Sequence, residues 1–254
     1  MAGTSPFDLT GRTALVTGAN TGIGQGIALA LAQAGATVVA AGRSDMGETL
    51  ALIAEAGGTG HALKVDLQEQ GIAARVVVEA TNLAGPLDIL VNNAGIIRRA
   101  DALDFSESDW DEVMNVNLKA NFFLAQAFAK SAVEAGRGAR IVNIASLLSF
   151  QGGIRVASYT ASKSGLAGLT RLLACEWAAR GINVNAIAPG YIESNNTQAL
   201  RADADRNTAI LARIPAGRWG KPSDIGGAAV FLASDAAAYI HGAIIPVDGG
   251  WLAR

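Results

Sequence analysis

The sequence predicts one α/β domain with a doubly wound, mostly parallel, seven-stranded sheet and helices on both faces. Three observations predict it. Short β-branched runs alternate with longer helical patterns along the chain. Several of these runs are apolar throughout, as strands covered on both faces are. No repeat, low-complexity tract or Pro/Ser-rich linker divides the 254 residues, so we expect residues 1–254 to form a single domain.

The composition excludes several classes of protein. Half of the residues are hydrophobic and 17% are charged, against roughly 25% charged in typical domains. Disordered chains are far more polar than this. The formal net charge of −2 argues against a nucleic-acid partner. With the single cysteine Cys175 and two histidines, we expect no thiolate-rich or histidine-based metal site.

The sequence shows no targeting or membrane segment. The first twelve residues lack an apolar run and carry Asp8, which is not typical of a secretory signal. No stretch reaches the roughly 18 uninterrupted apolar residues of a spanning helix. We expect a cytoplasmic protein without a membrane partner, and a lone cysteine fits that reducing compartment.

The apolar runs and helical patterns give the element order. Strands are predicted at residues 13–16, 37–41, 61–65, 88–91, 140–144, 183–187 and 243–247. Helices are predicted at residues 23–34, 46–56, 72–84, 107–134, 159–180 and 224–233. Ligands of such sheets bind beyond the carboxyl ends of the strands, so polar residues directly after strands are the site candidates.

A glycine-rich turn follows the first predicted strand. Glycines allow a tight turn and let backbone N–H groups approach a pyrophosphate, and the positive end of the next helix favours that anion. The spacing differs from G-x-G-x-x-G because three residues separate Gly18 from Gly22. The turn predicts a nucleotide phosphate site, with a ligand-free turn as the alternative. Its candidate residues are Gly18, Asn20, Thr21, Gly22, Ile23 and Gly24.

The ends of the second and third strands bear on the adenosine part of such a nucleotide. Arg43 follows Gly42, where an arginine pairs with a ribose 2′-phosphate and a neutral end still admits an unphosphorylated ribose. Arg43 favours NADP without excluding NAD. Asp66, followed by Leu67, is placed to accept a hydrogen bond from an adenine amino group. Alternatively, Asp66 caps a helix in a capping box with Glu69.

Tyr159 and Lys163 are four residues apart, so a helix places both on one face. A phenol has a pKa near 10. A nearby ammonium and a positively charged nicotinamide predict a lowered Tyr159 pKa, which suits an acid/base. The alternative is a surface tyrosine packed on a lysine stem. Ser146 ends the fifth strand, where its hydroxyl can bond a substrate carbonyl, or else form a cap or turn.

Together the motifs resemble those of the short-chain dehydrogenase/reductase family. They occur in the family's order over nearly the whole chain. The matching segments are Thr17-Gly18-x-x-x-Gly22-Ile23-Gly24, Asn92-Asn93-Ala94-Gly95, Ser146, Tyr159-x-x-x-Lys163 and Pro189-Gly190. The resemblance implies a Rossmann-like domain, NAD or NADP as cofactor and a homotetramer. It also implies hydride transfer between the cofactor and a secondary alcohol or ketone.

The resemblance also implies residue roles. Tyr159 would be the acid/base, and Lys163 would hold the nicotinamide ribose and tune Tyr159. Ser146 would orient the reacting group, and Asn117 would anchor a water that passes protons to solvent. Further cofactor positions follow from the same motifs. Asn93, Ala94 and Gly95 would border the adenosine ribose, and Pro189, Gly190 and Ile192 would meet the nicotinamide amide.

A narrower resemblance lies in residues 96–99, 149–156, 195–201, 213–220 and 247–254. These segments are similar to those of a group within the family that acts on the sugar acids 2-deoxy-D-gluconate and 2-dehydro-3-deoxy-D-gluconate. A sugar-acid carboxylate favours a guanidinium, and Arg98 and Arg155 are the candidates. The alternative for Arg98 and Arg99 is an intersubunit or helix-end salt bridge. The candidates for binding substrate hydroxyls are Gln151, Asn195 and Asn196.

Three questions stay open at this point. Residues 190–215 are expected to form a substrate lid, or else a static helix pair. Residues 227–233 and Trp251-Leu252 are expected in the tetramer interface, or else in the core. Rival activities are a 3-oxoacyl-carrier-protein reductase, a gluconate 5-dehydrogenase and, remotely, an inactive nucleotide-sensing protein.

Overall fold

Seven parallel strands form one sheet in the computed structural model, which describes residues 5–254. The strands are β1 (Thr13–Thr17), β2 (Thr37–Gly42), β3 (Thr59–Lys64), β4 (Ile89–Asn92), β5 (Ala139–Ile144), β6 (Ile182–Pro189) and β7 (Ile244–Val247). Their order is β3-β2-β1-β4-β5-β6-β7, and every pairing is parallel. The predicted sheet is therefore confirmed, and its order reverses between β1 and β4.

Nine α-helices lie in the described chain. They are α1 (Gly22–Gln33), α2 (Gly47–Glu55), α3 (Ile72–Ala84), α4 (Glu107–Met114), α5 (Asn121–Glu134), α6 (Ala157–Trp177), α7 (Gln198–Ala202), α8 (Ala204–Arg213) and α9 (Pro222–Ala233). Side chains of successive strand residues point to opposite faces. Thus Ala14 and Val16 of β1 pack with α1 and α9, whereas Leu15 packs with α3 and α5 on the other face. The sheet is buried on both faces, as the apolar runs predict.

The predicted helix 107–134 is wrong in its middle. A π-helical turn, Asn115–Ala120, separates α4 from α5. The helical sequence pattern is continuous across this turn, whereas the turn itself depends on contacts with other segments. Two further helices, α7 and α8, lie within residues 190–215, where a helix pair is one of the two sequence-based alternatives.

Part of each segment considered as interface material packs in the core of the single chain, and a tetramer interface at these segments stays a prediction. In α9, Ala229 and Leu232 are buried and pack with Ile27 of α1. Trp251 is also buried, in a cluster that contains Trp219. Among residues 5–254, no helix is both long enough and apolar enough to span a bilayer.

Candidate active site

A cleft of about 470 Å³ opens at the carboxyl ends of β1 and β4, where the strand order reverses. This is the place at which doubly wound sheets bind ligands. All of the cofactor residues predicted from the sequence line it. They are Gly18, Asn20, Thr21, Gly22, Ile23, Gly24, Arg43, Asp66, Leu67, Asn93, Ala94, Gly95, Tyr159, Lys163, Pro189, Gly190 and Ile192.

The glycine-rich turn is built by close backbone packing. Gly18 and Gly22 have φ of +64° and +58°, in the left-handed region that favours glycine. A side chain at Gly24 would collide with the Gly18 carbonyl and the Asn93 amide. Asn93 Nδ2 donates to the carbonyl oxygens of Thr17 and Gly18 at 2.9 and 3.2 Å. The turn therefore stays open in front of α1 because its glycines occupy no space there.

The turn fits a pyrophosphate. Helix α1 begins at Gly22, carries no acidic residue in its first turn and aims its positive end at the cleft. Thr17 was missed by the sequence reasoning. Its Oγ1 accepts hydrogen bonds from the backbone N–H groups of Asn93 and Ala94, both at 3.0 Å, and so joins the ends of β1 and β4.

The adenosine end of the cleft contains one polar residue from each of β2 and β3. Arg43 is exposed beside Gly42. Asp66 Oδ1 accepts a hydrogen bond from the backbone N–H of Gln68 at 3.0 Å, in a turn that precedes α3. Since α3 begins only at Ile72, the capping-box alternative for Asp66 and Glu69 is wrong. The Asp66 carboxylate lies at the cleft wall, where it would accept a hydrogen bond from an adenine amino group.

Lys163 and Tyr159 lie at the inner end of the cleft. Lys163 is buried, its Nζ donates to the Ile144 carbonyl at 2.6 Å, and it lies 5.7 Å from the centre of the Tyr159 ring. Burial lowers the pKa of Lys163 from 10.5 to about 8, because the buried ammonium loses its hydration. The amine thus titrates near neutral pH.

The pKa of Tyr159 is not lowered in the protein by itself, and its lowering beside a bound, positively charged nicotinamide stays a prediction. Burial raises the pKa of Tyr159 above 10, since the phenolate would be poorly hydrated. A hydrogen bond with the Ser146 side chain and the positive charge of Arg99 act in the opposite direction, but burial outweighs them. The side chains of Ser146 and Tyr159 both line this cleft.

Asn117 lies behind the cleft wall, in the π-helical turn. Its Oδ1 accepts from the Ile96 backbone N–H at 2.8 Å, and its Nδ2 donates to the Ile96 carbonyl at 2.9 Å. The same Nδ2 lies 3.3 Å from Ser162 Oγ, which donates to the Tyr159 carbonyl at 2.8 Å. Asn117 thereby joins the loop after β4 to the turn of α6 that carries Tyr159. Ser162 was missed because serine at this position has no distinguishing sequence pattern.

The predicted substrate residues separate into two groups. Ser146, Arg98, Asn195 and Asn196 line the cleft, whereas Gln151 and Arg155 do not. Gln151 Oε1 accepts from the Trp251 indole at 3.3 Å. Arg155 pairs with Asp101 at 3.7 Å. The expectation that Gln151 and Arg155 face the substrate is therefore corrected: both side chains are engaged outside the cleft.

Arg98 lines the cleft but is neutralised by carboxylates. It pairs with Glu112 at 2.7 Å and with Asp109 at 3.4 Å, both on α4. This is the helix-end salt bridge that the sequence left open as an alternative. A substrate carboxylate at Arg98 would have to compete with two protein carboxylates.

The neighbouring Arg99, which the sequence reasoning did not select, is exposed and does not line the cleft, but its positive charge acts on Tyr159. Its charge favours the Tyr159 phenolate, and its Nη2 donates to the Asn196 carbonyl at 3.0 Å. It makes no ion pair with any described residue. The Arg98-Arg99 pair is plain in the sequence, but which of the two faces Tyr159 depends on the position of α4.

Residues 190–215 cover one side of the cleft. Residues Ser194 to Thr197 line it, and Thr197 Oγ1 donates to the Ile192 carbonyl at 2.7 Å. Trp219 Nε1 donates to Asn207 in α8 at 2.7 Å. Closure of this segment over a substrate stays a prediction.

Comparison with known proteins gives full-length relatives. Residues 18–252 match the family described as enoyl-(acyl carrier protein) reductase. The 2-dehydro-3-deoxy-D-gluconate 5-dehydrogenase of Escherichia coli K12 is 58% identical, over 98% of this chain and 99% of the relative. The gluconate 5-dehydrogenase of Gluconobacter oxydans is 42% identical, over 96% of both chains.

A solved structure of similar sequence extends the comparison to the fold. It is a crystal structure, with bound NADP, of an Agrobacterium tumefaciens protein provisionally named 2-deoxy-D-gluconate 3-dehydrogenase. The identity is 66%, the TM-score is 0.94, and the alignment covers 99% of this chain and 100% of that one.

Proposed function

The chain belongs to the short-chain dehydrogenase/reductase family, and from this premise we propose that it is a sugar-acid dehydrogenase. It would transfer hydride between NAD or NADP and a secondary alcohol or ketone of 2-deoxy-D-gluconate or 2-dehydro-3-deoxy-D-gluconate. The proposal rests on Ser146, Tyr159 and Lys163, which line the same cleft as the glycine-rich turn, with Lys163 Nζ 5.7 Å from the centre of the Tyr159 ring. The 58% identical relative supports the choice of substrate class.

The chain's own residues supply the proton chemistry. A bound nicotinamide dinucleotide supplies or accepts the hydride. In the reducing direction, the Ser146 hydroxyl donates a hydrogen bond to the substrate oxygen, and Tyr159 Oη donates its proton to that oxygen. In oxidation the Tyr159 phenolate accepts the alcohol proton. Lys163, with its pKa near 8, is the adjacent buried group that can exchange a proton with this site at neutral pH.

Arg99 would bind the carboxylate that distinguishes a sugar acid from a simple alcohol. Among residues 5–254 it pairs with no carboxylate, it bonds the carbonyl of the cleft residue Asn196, and its charge acts on Tyr159. An arginine–carboxylate pair is short, directional and charge-assisted. Asn195 and Asn196, on the facing side of the cleft, would bind sugar hydroxyls.

Replacing Arg99 by Gln is expected to raise KM for the sugar acid by about 10- to 100-fold, the value of one charge-assisted hydrogen-bonded pair. Initial-rate kinetics would measure it. Arg98→Gln is the matched control, because Asp109 and Glu112 already neutralise Arg98, and its KM should stay within about threefold of wild type. Equal KM values in the two variants would remove Arg99 from the substrate site.

The rival activities are tested by a substrate panel. Purified protein is assayed with NAD⁺ and NADP⁺ separately on 2-deoxy-D-gluconate and gluconate, and with the reduced cofactors on a 3-oxoacyl thioester. The highest kcat/KM on the deoxy sugar acid supports the proposal. Preference for gluconate or for the thioester would replace it with the corresponding rival.

A homotetramer in the cytoplasm is the finer part of the proposal. It is supported by apolar side chains on the outer faces of α5 and α6, where Phe123, Val133 and Leu172 are exposed in the single chain. We expect light scattering to give a mass near four times 25.9 kDa. A monomeric mass would refute the assembly and leave the chemistry unaffected.

A further inference from the structure

The π-helical turn at Asn115–Ala120 changes the hydrogen-bond donors around the Asn117 carbonyl. In an α-helix the Asn117 carbonyl would accept the backbone N–H of Asn121, four residues on. In this turn the Asn121 N–H bonds the Leu118 carbonyl instead. The Asn117 carbonyl oxygen, which is not bonded to that N–H, can accept a hydrogen bond from a side chain.

The side chain of Asn121 supplies that hydrogen bond. Its Nδ2 donates to the Asn117 carbonyl at 2.8 Å, and Asn121 is only 1% exposed. On this basis, and resting on the function proposed above, we infer that Asn121 is a positioning residue. Its amide stabilises the wide turn that aims the Asn117 side chain at Ile96 and Ser162.

Asn121 is also tied to the centre of the sheet. Its backbone carbonyl accepts from Asn92 Nδ2 at 3.3 Å. Asn92 Nδ2 also donates to Asn143 Oδ1, and Asn143 Nδ2 donates to Thr170 Oγ1, both at 2.9 Å. A chain of buried amides thus runs from α5 through β4 and β5 to Thr170 on α6.

From Asn121 the hydrogen bonds also lead through Asn117 to helix α6. Asn117 Nδ2 contacts Ser162 Oγ at 3.3 Å, and Ser162 bonds the Tyr159 carbonyl at 2.8 Å. Both ends of the amide chain therefore reach α6, at Ser162 and at Thr170. If the turn relaxed to an α-helix, the Asn117 side chain would shift. Its contact with Ser162, in the part of α6 that presents Tyr159, would then be lost.

A pair of substitutions of nearly equal shape isolates the donor. In Asn121→Thr, the hydroxyl reaches the carbonyl four residues back, as threonine does in helices. In Asn121→Val, the side chain has the same shape and no donor. We expect kcat of the Val variant to fall at least about tenfold below that of the Thr variant, because small displacements of catalytic groups are costly. KM is expected to change less than kcat.

The control and a second readout separate positioning from general stability. Asn185 is a buried amide remote from the cleft, bonded to the Ile240 carbonyl at 2.8 Å, so Asn185→Val should lower Tm and leave kcat unchanged. Hydrogen exchange of residues 115–122 should be faster in Asn121→Val and close to wild type in Asn121→Thr. Equal kcat and equal exchange in the two Asn121 variants would overturn the inference. If wild type turns over no sugar acid, the substrate proposal fails, and the exchange comparison alone decides the role of Asn121.

Discussion

Tyr159→Phe is expected to lower kcat on the sugar acid by about 100- to 10,000-fold, the usual contribution of a positioned acid/base. The substitution removes only the hydroxyl that exchanges the proton with the substrate oxygen. The ring still fills its place beside Lys163, and the glycine-rich turn, Arg43 and Asp66 are unchanged. Cofactor affinity, measured by fluorescence titration, is therefore expected to stay within about threefold of wild type.

Tyr239→Phe is the matched control for this substitution. Tyr239 is 99% exposed and lies outside the cleft, so its hydroxyl should have no effect on kcat. Stopped-flow or steady-state rates of the two variants give the comparison. A Tyr159→Phe enzyme with more than a tenth of wild-type kcat would contradict its role as the acid/base.

The second large effect concerns the stability linked to Lys163. In the folded protein burial lowers the pKa of Lys163 to about 8, whereas in the unfolded chain it returns to about 10.5. Between these values the unfolded chain binds more protons than the folded one. The free energy of unfolding contributed by this group therefore rises with pH from 8 to 10.5, and the cost of burying the ammonium is fully present below pH 8.

Lys163→Met removes this dependence. We expect the unfolding free energy of wild type minus that of the variant to increase by about 3 kcal/mol between pH 8 and 10.5, at 1.36 kcal/mol per pKa unit. Denaturant unfolding at a series of pH values measures it. The exposed Lys64 of β3 provides the control, and wild type minus Lys64→Met should be flat in this window. If the difference in unfolding free energy between wild type and Lys163→Met is also independent of pH, burial does not lower the pKa of Lys163.

The fold could be predicted from the sequence because its strongest signals are local. Strands buried on both faces need continuous apolar runs such as Ile89-Leu90-Val91, and a turn of backbone against backbone needs glycine at Gly18 and Gly24. Such requirements do not depend on distant segments. The cofactor cleft follows from them, because parallel strands bring the ends of β1 and β4 together.

The parts that failed depend on tertiary contacts. The π-helical turn bonds the loop after β4 through the side chain of Asn117 and the backbone of Ile96, and helical periodicity does not report these contacts. The ion pairs of Arg98 with two carboxylates of α4 are likewise tertiary contacts that the sequence does not report. In the protein without a cofactor the pKa of Tyr159 is raised because burial, which the sequence does not measure, outweighs the Ser146 hydrogen bond and the Arg99 charge.

We propose that the enzyme recognises a sugar acid through its carboxylate. The most direct test is kcat/KM of the wild-type enzyme on 2-deoxy-D-gluconate and on 2-deoxy-D-glucitol, an uncharged open-chain sugar alcohol of the same length, with NAD⁺ and NADP⁺ in turn. We expect kcat/KM to be at least about 10-fold higher for the acid, the contribution of one charge-assisted pair. The same measurement on Arg99→Gln should abolish most of that preference. Equal kcat/KM on both compounds, or no turnover of the acid, would contradict recognition through the carboxylate.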